Sequence, residues 1–106
     1  MAHITGGGLY DNVPRMLPKN LAADINVDTW SVPPVFKWLK KAGNVSSVEF
    51  ARAWNTGLGM VCVVSKEHVN EVIELLKKEG EAVHKIGKLV KRDGEGCVLS
   101  NLQKWN

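Results

Sequence analysis

The apolar positions of this chain change period along its length, and the changes mark its elements. Leu21-Ala22-Ala23-Asp24-Ile25-Asn26-Val27 alternates roughly apolar and polar, which predicts a strand with one buried face. Trp30-Ser31-Val32-Pro33-Pro34 reads as a turn feeding a helix, because proline is preorganised for a first helical turn and Val35, Trp38, Leu39 and Ala42 follow at helical spacing. Gly43 supplies the stop. Ser46-Ser47-Val48-Glu49 is a capping box that opens a second helix, predicted to bury Ala51 and Trp54 and to break at Asn55-Thr56-Gly57-Leu58-Gly59. The run Met60-Val61-Cys62-Val63-Val64 is continuously apolar and rich in β-branched residues, the pattern of a central strand covered on both faces.

Ser65 is placed to cap a helix from Lys66 to Glu79, with Val69, Val72, Ile73 and Leu76 in one stripe, Glu74 four residues before Lys78, and Gly80 beyond the end. Ala82 to Val90 is strand-like around Gly87, and Asp93-Gly94 predicts a hairpin turn into Cys97-Val98-Leu99. The tail from Asn101 is expected to be less ordered. Near the start, Asp11 can cap a short helix through Leu17, with Pro14 in its first turn and Pro18 ending it. The order strand, helix, strand, two helices, strand, helix, hairpin specifies an α/β (α+β) layered domain, a mixed β-sheet with helices packed on it. If the strands on either side of the Lys66 to Glu79 helix are parallel, that crossover is right-handed.

With 106 residues, 44% hydrophobic and 24% charged, the chain reads as a single domain over residues 1–106 with a modest core. No stretch approaches the roughly 18 consecutive apolar residues of a membrane span, and the N-terminus lacks a secretory pattern. The expectation is a cytoplasmic protein with no membrane partner. Cys62 and Cys97 sit in apolar runs without metal-ligand spacing, so both are expected to be reduced and buried, and no metal site is predicted. A net charge of +3 suits an anionic small molecule and is too slight to imply nucleic acid. Lys77 and Lys78 fall at a helix end, while Lys85, Lys88, Lys91 and Arg92 line a strand of edge character, so the basic residues read as a solvated face.

The chemistry concentrates at the start, in His3-Ile4-Thr5-Gly6-Gly7-Gly8-Leu9-Tyr10-Asp11-Asn12-Val13-Pro14-Arg15. A glycine triplet running into a helix start lets backbone N–H groups converge on an anion, so the stretch reads as a phosphate-binding loop, with a flexible turn as the alternative. It is not a P-loop, since no Gly-Lys-Ser/Thr closes it. Trp30, Trp38 and Trp54 either stack on a purine-like ring or fill the core, and the apolar helical positions of Trp38 and Trp54 favour core.

With these motifs placed, the sequence resembles phosphoribosylformylglycinamidine cyclo-ligase, the aminoimidazole ribonucleotide (AIR) synthetase of purine biosynthesis, in the C-terminal part of its C-terminal domain. The resemblance rests on His3-Ile4-Thr5-Gly6-Gly7-Gly8, on Asn12-Val13-Pro14-Arg15, and on Trp30 followed by Pro33, Phe36, Trp38 and Leu39. Ala42-Gly43-Asn44, Asn55-x-Gly57-x-Gly59-Met60 and Lys85-Ile86-Gly87 extend it over nearly the whole chain. Family members commonly have Phe-Asn-Cys-Gly-Val-Gly where this chain has Trp54-Asn55-Thr56-Gly57-Leu58-Gly59, so Thr56 stands where a thiol is usual. Selenophosphate synthetase and thiamine monophosphate kinase share the architecture but match the Trp30 to Leu39 block and the Asn55 loop less well.

The resemblance implies an ATP-dependent ligase that activates the amide oxygen of formylglycinamidine ribonucleotide as a phosphate ester and closes the imidazole ring. On it the chain is a C-terminal fragment whose N-terminal ATP-binding domain is absent, inactive alone. ATP and Mg2+ are the cofactors implied for the parent enzyme, with none binding tightly to the fragment. The implied partners are the small-molecule nucleotide substrate, the missing N-terminal domain and, through an open sheet edge, other copies of the chain. Thr5, Gly6, Gly7 and Gly8 would bind substrate or transferred phosphate, with Asn12 and Arg15 at the helix opening; Arg15 pairs with a phosphate or with a neighbouring carboxylate. His3 is the implied catalytic group, as hydrogen-bond donor or proton shuttle. Asn55, Gly57 and Gly59 are binding candidates that a tight supporting loop would equally explain. The alternative function is a non-catalytic phosphate-binding or assembly module of the same fold.

Overall fold

The computed structural model describes residues 1–105. In chain order its elements are β1 (Ala2–His3), α1 (Gly8–Asn12), β2 (Leu21–Asn26), α2 (Pro34–Ala42), α3 (Ser47–Ala53), β3 (Met60–Val61), α4 (Val69–Lys78), β4 (Gly87–Lys91) and β5 (Cys97–Ser100), joined by loops and short 3-10 turns. The architecture is the α/β layered one, with helices packed on a mixed sheet. In that sheet β2 is central, antiparallel to β4 and parallel to β5, with Ala23 opposite both Leu89 and Cys97. β1 and β3 form a separate antiparallel pair, Ala2 opposite Val61 and His3 opposite Met60.

The strand predicted at Leu21 forms because its alternation has an apolar surface to meet. Ala23 and Ile25 are buried on one face, and Ala22 is buried on the other. The core that covers them joins Leu9 and Val13 from around α1, Phe50 and Ala51 from α3, Leu99 from β5, and Trp30 and Trp105 from the connecting turns. Phe50 is its hub: Trp105 meets it edge-on at 5.3 Å and Trp54 tilts against it at 5.4 Å between ring centroids. Trp30 packs edge-on to Trp105 at 6.3 Å and donates its indole N–H to the Thr56 carbonyl at 3.0 Å. The serine half of the expected capping box forms at the start of α3, Ser46 Oγ accepting from Glu49 N–H at 3.2 Å.

Several expectations are corrected. The first helix begins at Gly8 rather than behind Asp11, because Gly7 adopts φ +93° as its cap and Pro14, which has no N–H, turns the chain into a 3-10 segment at Pro14–Met16. Asp11 instead pairs with Arg52 of α3 at 3.2 Å. β4 and β5 are not a hairpin. The Asp93-Gly94 turn carries the chain across the end of β2, held by Arg92 N–H to the Asn20 carbonyl, Arg92 Nε to the Leu21 carbonyl and Ala23 N–H to the Gly96 carbonyl at 2.9, 3.1 and 3.0 Å. Alternation reports that a segment is a strand; it does not report the neighbour.

The run expected to be the covered central strand is corrected most. Only Met60–Val61 pairs, Cys62 is exposed rather than buried, and Val63 and Val64 are 45% and 37% exposed. With β3 outside the main sheet, α4 is not a crossover between parallel strands. A 3-10 turn at Lys66–His68 precedes α4, and Ser65 makes no side-chain cap bond to it. None of the α4 stripe is fully buried. Residues 82–86 are irregular, and β4 begins only at Gly87. Trp38 is 66% exposed on α2, a peripheral helix with no buried residue, so its helical position did not make it core. The tail, by contrast, turns back as a 3-10 segment at Leu102–Trp105 and buries Trp105.

Candidate functional site

Alternation along the first strand sets the site. Ala2 and Ile4 are buried while His3 and Thr5 are exposed, and Ile4 N–H donates to the Gly59 carbonyl at 2.9 Å, tying the first glycine loop to the second. The chain then folds back on itself around Asn12, which is buried. The Asn12 amide nitrogen donates to the carbonyls of Thr5, Gly6 and Gly8 at 3.2, 3.2 and 2.8 Å. Its oxygen accepts from the Thr5 hydroxyl at 3.3 Å and from the Arg15 guanidinium at 3.0 Å. The carbonyl and guanidinium partners fix the amide the same way round, since a flip would set N–H against N–H and oxygen against carbonyl.

The three glycines differ in what they do. Gly7 needs its positive φ, and a Cβ there would run into the Asp11 side chain. Gly8, at φ +61°, lies so close to α3 that a Cβ would collide with the Ala51 carbonyl oxygen, and its N–H is already given to the Thr5 carbonyl at 2.9 Å. Gly6 has neither a positive φ nor any neighbour within 4 Å of where a Cβ would stand, so packing places no demand on it. Among the described residues, no hydrogen bond is made by the Gly6 and Gly7 N–H groups.

Beside this loop lies an open polar pocket of about 320 Å³, lined by His3, Thr5, Asn12 and Arg15 with Met1, Ala2 and Met16. Four of the sequence-derived candidates, different in residue type and up to twelve positions apart in sequence, thus share one cavity. Arg15 is its charged group and no carboxylate lines it, which makes it suited to an anion. Among the described residues Arg15 therefore pairs with the Asn12 oxygen rather than with a carboxylate. Gly6, Gly7 and Gly8 do not line it; the Gly6 and Gly8 carbonyls instead hold the Asn12 amide that does.

Asn55, Gly57 and Gly59 lie outside the pocket. Asn55 Oδ1 accepts from Gly57 N–H at 2.9 Å, Thr56 adopts φ +57° with its side chain buried, and Gly57, at φ +102°, packs against Pro33. The Thr56 hydroxyl donates to the Asn55 carbonyl at 2.7 Å, so that position is an internal tie of the loop. The second loop thus acts on the first through Gly59 and Ile4. Supporting residues that sequence reading missed are Phe50, which anchors α3 against α1, and Trp105 behind it. The only signal for either was its aromatic character.

Burial governs the two displaced titrations. It raises the Tyr10 hydroxyl, with Cys97 nearby adding to the rise and the Arg52 guanidinium, 4.9 Å from the ring centre, opposing it. It pushes the Cys97 thiol up to about 12. Among the described residues, no three His, Cys, Asp or Glu side chains converge in a way that could hold a metal ion. Among the described residues, no helix is long and apolar enough to cross a membrane.

Comparison with known proteins bears on this site directly. Over residues 1–100 the chain matches the family model of the AIR synthase related protein C-terminal domain. It is 56% identical over 107 aligned positions to the bifunctional purine biosynthetic protein ADE1 of Schizosaccharomyces pombe, covering 99% of this chain and 14% of that protein. It is 51% identical over 102 positions to the bifunctional purine biosynthetic protein PUR2,5 of Pichia angusta, covering 95% of this chain and 13% of that protein. The chain therefore spans about a seventh of the length of the curated relatives it matches. A match this long, running through the glycine loop, the Asn12 hub and both outer strands of the sheet, makes this chain a member of the AIR synthase related C-terminal domain family.

Proposed function

We propose that this chain supplies the substrate-side wall of an ATP-dependent cyclo-ligase that closes the imidazole ring of formylglycinamidine ribonucleotide to give aminoimidazole ribonucleotide, and that it does not turn over alone. The observation that carries this reading is the convergence of His3, Thr5, Asn12 and Arg15 on one open polar pocket without a carboxylate. The names of the relatives, both bifunctional purine biosynthetic proteins, support this reading.

Ring closure of this kind asks little covalent help of the protein. It asks for charge neutralisation at a phosphoryl group and for two ends of one substrate to be held together. Arg15 is suited to the first task. One of its N–H groups is held by Asn12, which fixes the guanidinium plane and leaves its other donors for phosphate oxygens. The Thr5 hydroxyl, positioned by the same Asn12 oxygen, can add a neutral donor or acceptor. His3 stands at the rim, where its imidazole can donate to the substrate or carry a proton. The pocket's donor set does not fit Mg2+, so ATP and its metal are assigned to other parts of the parent polypeptide, and no step here runs through them.

Calorimetry with inorganic phosphate and with formylglycinamidine ribonucleotide tests this. Arg15→Gln removes a charged donor from the pocket and should weaken both ligands by roughly tenfold, the loss typical of one charge-assisted hydrogen bond. Equal heats for the two proteins would remove the pocket from the reaction. Incubating the chain with the ribonucleotide, ATP and Mg2+ should give no ring-closed product, and sustained turnover would overturn the shared-site reading.

A further inference from the structure

The buried Asn12 side chain combines two tasks that call for an amide. Its nitrogen donates to the carbonyls of Thr5, Gly6 and Gly8, and its oxygen accepts from Thr5 and Arg15. A carboxylate in its place would set an oxygen against three carbonyls and would also neutralise Arg15. A neutral acceptor holds the guanidinium and leaves its charge uncompensated. Asp11, the adjacent residue in sequence, is turned to α3, where it pairs with Arg52 at 3.2 Å, and no carboxylate lines the pocket.

The same bond selects which side of the guanidinium stays free. Asn12 ends α1, and Arg15 follows by three residues in the 3-10 turn closed by Leu17 N–H to the Pro14 carbonyl at 3.0 Å, a spacing that brings the two side chains together. Arg15 donates to Asn12 through Nη1, the nitrogen cis to Cδ. Its Nε and Nη2 carry parallel N–H bonds along the other edge, and among the described residues they make no hydrogen bond. Two parallel donors bearing an uncompensated charge match two oxygens of one oxyanion.

We propose that Asn12 is a positioning residue that sets Arg15 to clamp a terminal phosphoryl group through its Nε–Nη2 edge, two oxygens to one guanidinium. The inference rests on the anion-binding reading of the pocket and adds the chemistry by which the anion is held. Asn12 acts on the ligand through Arg15 and makes no contact of its own. A phosphoryl group on a sugar and one on a nucleoside triphosphate present the same oxygens, so ribose 5-phosphate and ATP serve as separate probes beside inorganic phosphate.

Calorimetry, with NMR of isotope-labelled arginine, tests the clamp. Arg15→Lys keeps the charge and removes the edge, so it should weaken inorganic phosphate about tenfold, as Arg15→Gln does, with unchanged far-ultraviolet circular dichroism. The same loss for ribose 5-phosphate or for ATP identifies which phosphoryl group is held, and a loss for neither would overturn the proposal. In the ligand-free wild type, Arg15 should already show separate Nη1 proton signals, because Asn12 stops their exchange, and saturating phosphate should move the Nε–H proton downfield. Averaged Nη1 signals would overturn the positioning role, whether or not an Asn12 variant folds. Asn12→Ser should weaken phosphate about tenfold in the wild type and by less than about twofold in an Arg15→Gln background. Equal losses in both backgrounds would separate Asn12 from Arg15 and also overturn that role. If Arg15→Gln weakens phosphate while Arg15→Lys binds it like the wild type, a point charge suffices: the clamp falls and the anion pocket stands. A wild-type chain that takes no phosphate would remove the pocket and the clamp together.

Discussion

The two short helices α3 and α4 carry the same kind of pattern and meet opposite fates. On α3, Phe50 and Ala51 are almost wholly buried, wedged between α1, Trp54 and Trp105. On α4, Val69, Val72, Ile73 and Leu76 form an equally regular stripe, yet none is fully buried and the stripe lies over an open cleft. An amphipathic stripe specifies which side of a helix is apolar, and the opposing surface decides what that stripe is worth. The α1–α3 side has that surface, down to a glycine that lets two helices nearly touch. Among the described residues the α4 side meets an open cleft instead, which the exposed residues Cys62, Val63 and Val64 also line.

Mutations can break this contrast, beginning with the tightest contact. Gly8→Ala combines a collision with the Ala51 carbonyl and a positive φ, and should destabilise the chain by about 5 kcal/mol in urea unfolding or abolish folding. Gly6→Ala, two residues away with open space around it, should stay within about 0.5 kcal/mol of wild type. Phe50→Ala should cost about 4 kcal/mol, whereas Leu76→Ala on α4 should cost about 1 kcal/mol because much of that side chain is already in water. Equal costs for the two would erase the difference between the halves. Trp30→Phe keeps most of the packing and leaves the Thr56 carbonyl unpaired, for a loss of about 1–2 kcal/mol.

The thiols give the mildest probe. In the native chain at neutral pH a disulfide reagent should titrate Cys62 and leave Cys97, which burial keeps protonated, until denaturant is added. The sign of the linked stability follows from the raised value. Cys97 titrates near 9.0 when unfolded and at about 12 when folded, so its contribution is fully present below pH 9 and is lost as pH rises from 9 toward 12. Unfolding midpoints measured across that window for wild type and Cys97→Ala should converge at the alkaline end.

The clustering of His3, Thr5, Asn12 and Arg15 was more legible than the packing. The glycine triplet, Asn12 and Arg15 are close in sequence, and a short turn brings such residues together whatever the rest of the chain does. Asn12 could be named as a binding candidate, but its role as the internal tie among Thr5, Gly6, Gly8 and Arg15 depends on a buried amide that no local pattern reveals. Asn55, Gly57 and Gly59 lie outside the pocket that holds the other candidates, a separation that sequence does not show because loops that bind and loops that support use the same small residues. Trp38 and Trp105 were misjudged in opposite directions for one reason: a side chain's burial depends on what lies across from it.

The sequence by itself determined the order of the elements, the strand at Leu21, the capped start of α3, the basic edge along β4 and the cluster of polar residues that opens the chain. These follow from local forces: backbone propensity, capping, turn chemistry and alternation. Tertiary structure alone decided that β2 divides β4 from β5, that Trp105 returns to complete the core, and that only Met60–Val61 of the apolar run at 60–64 pairs with another strand. Each of those depends on contacts between residues far apart in the chain, where an apolar run is stabilised only by the surface that comes to cover it.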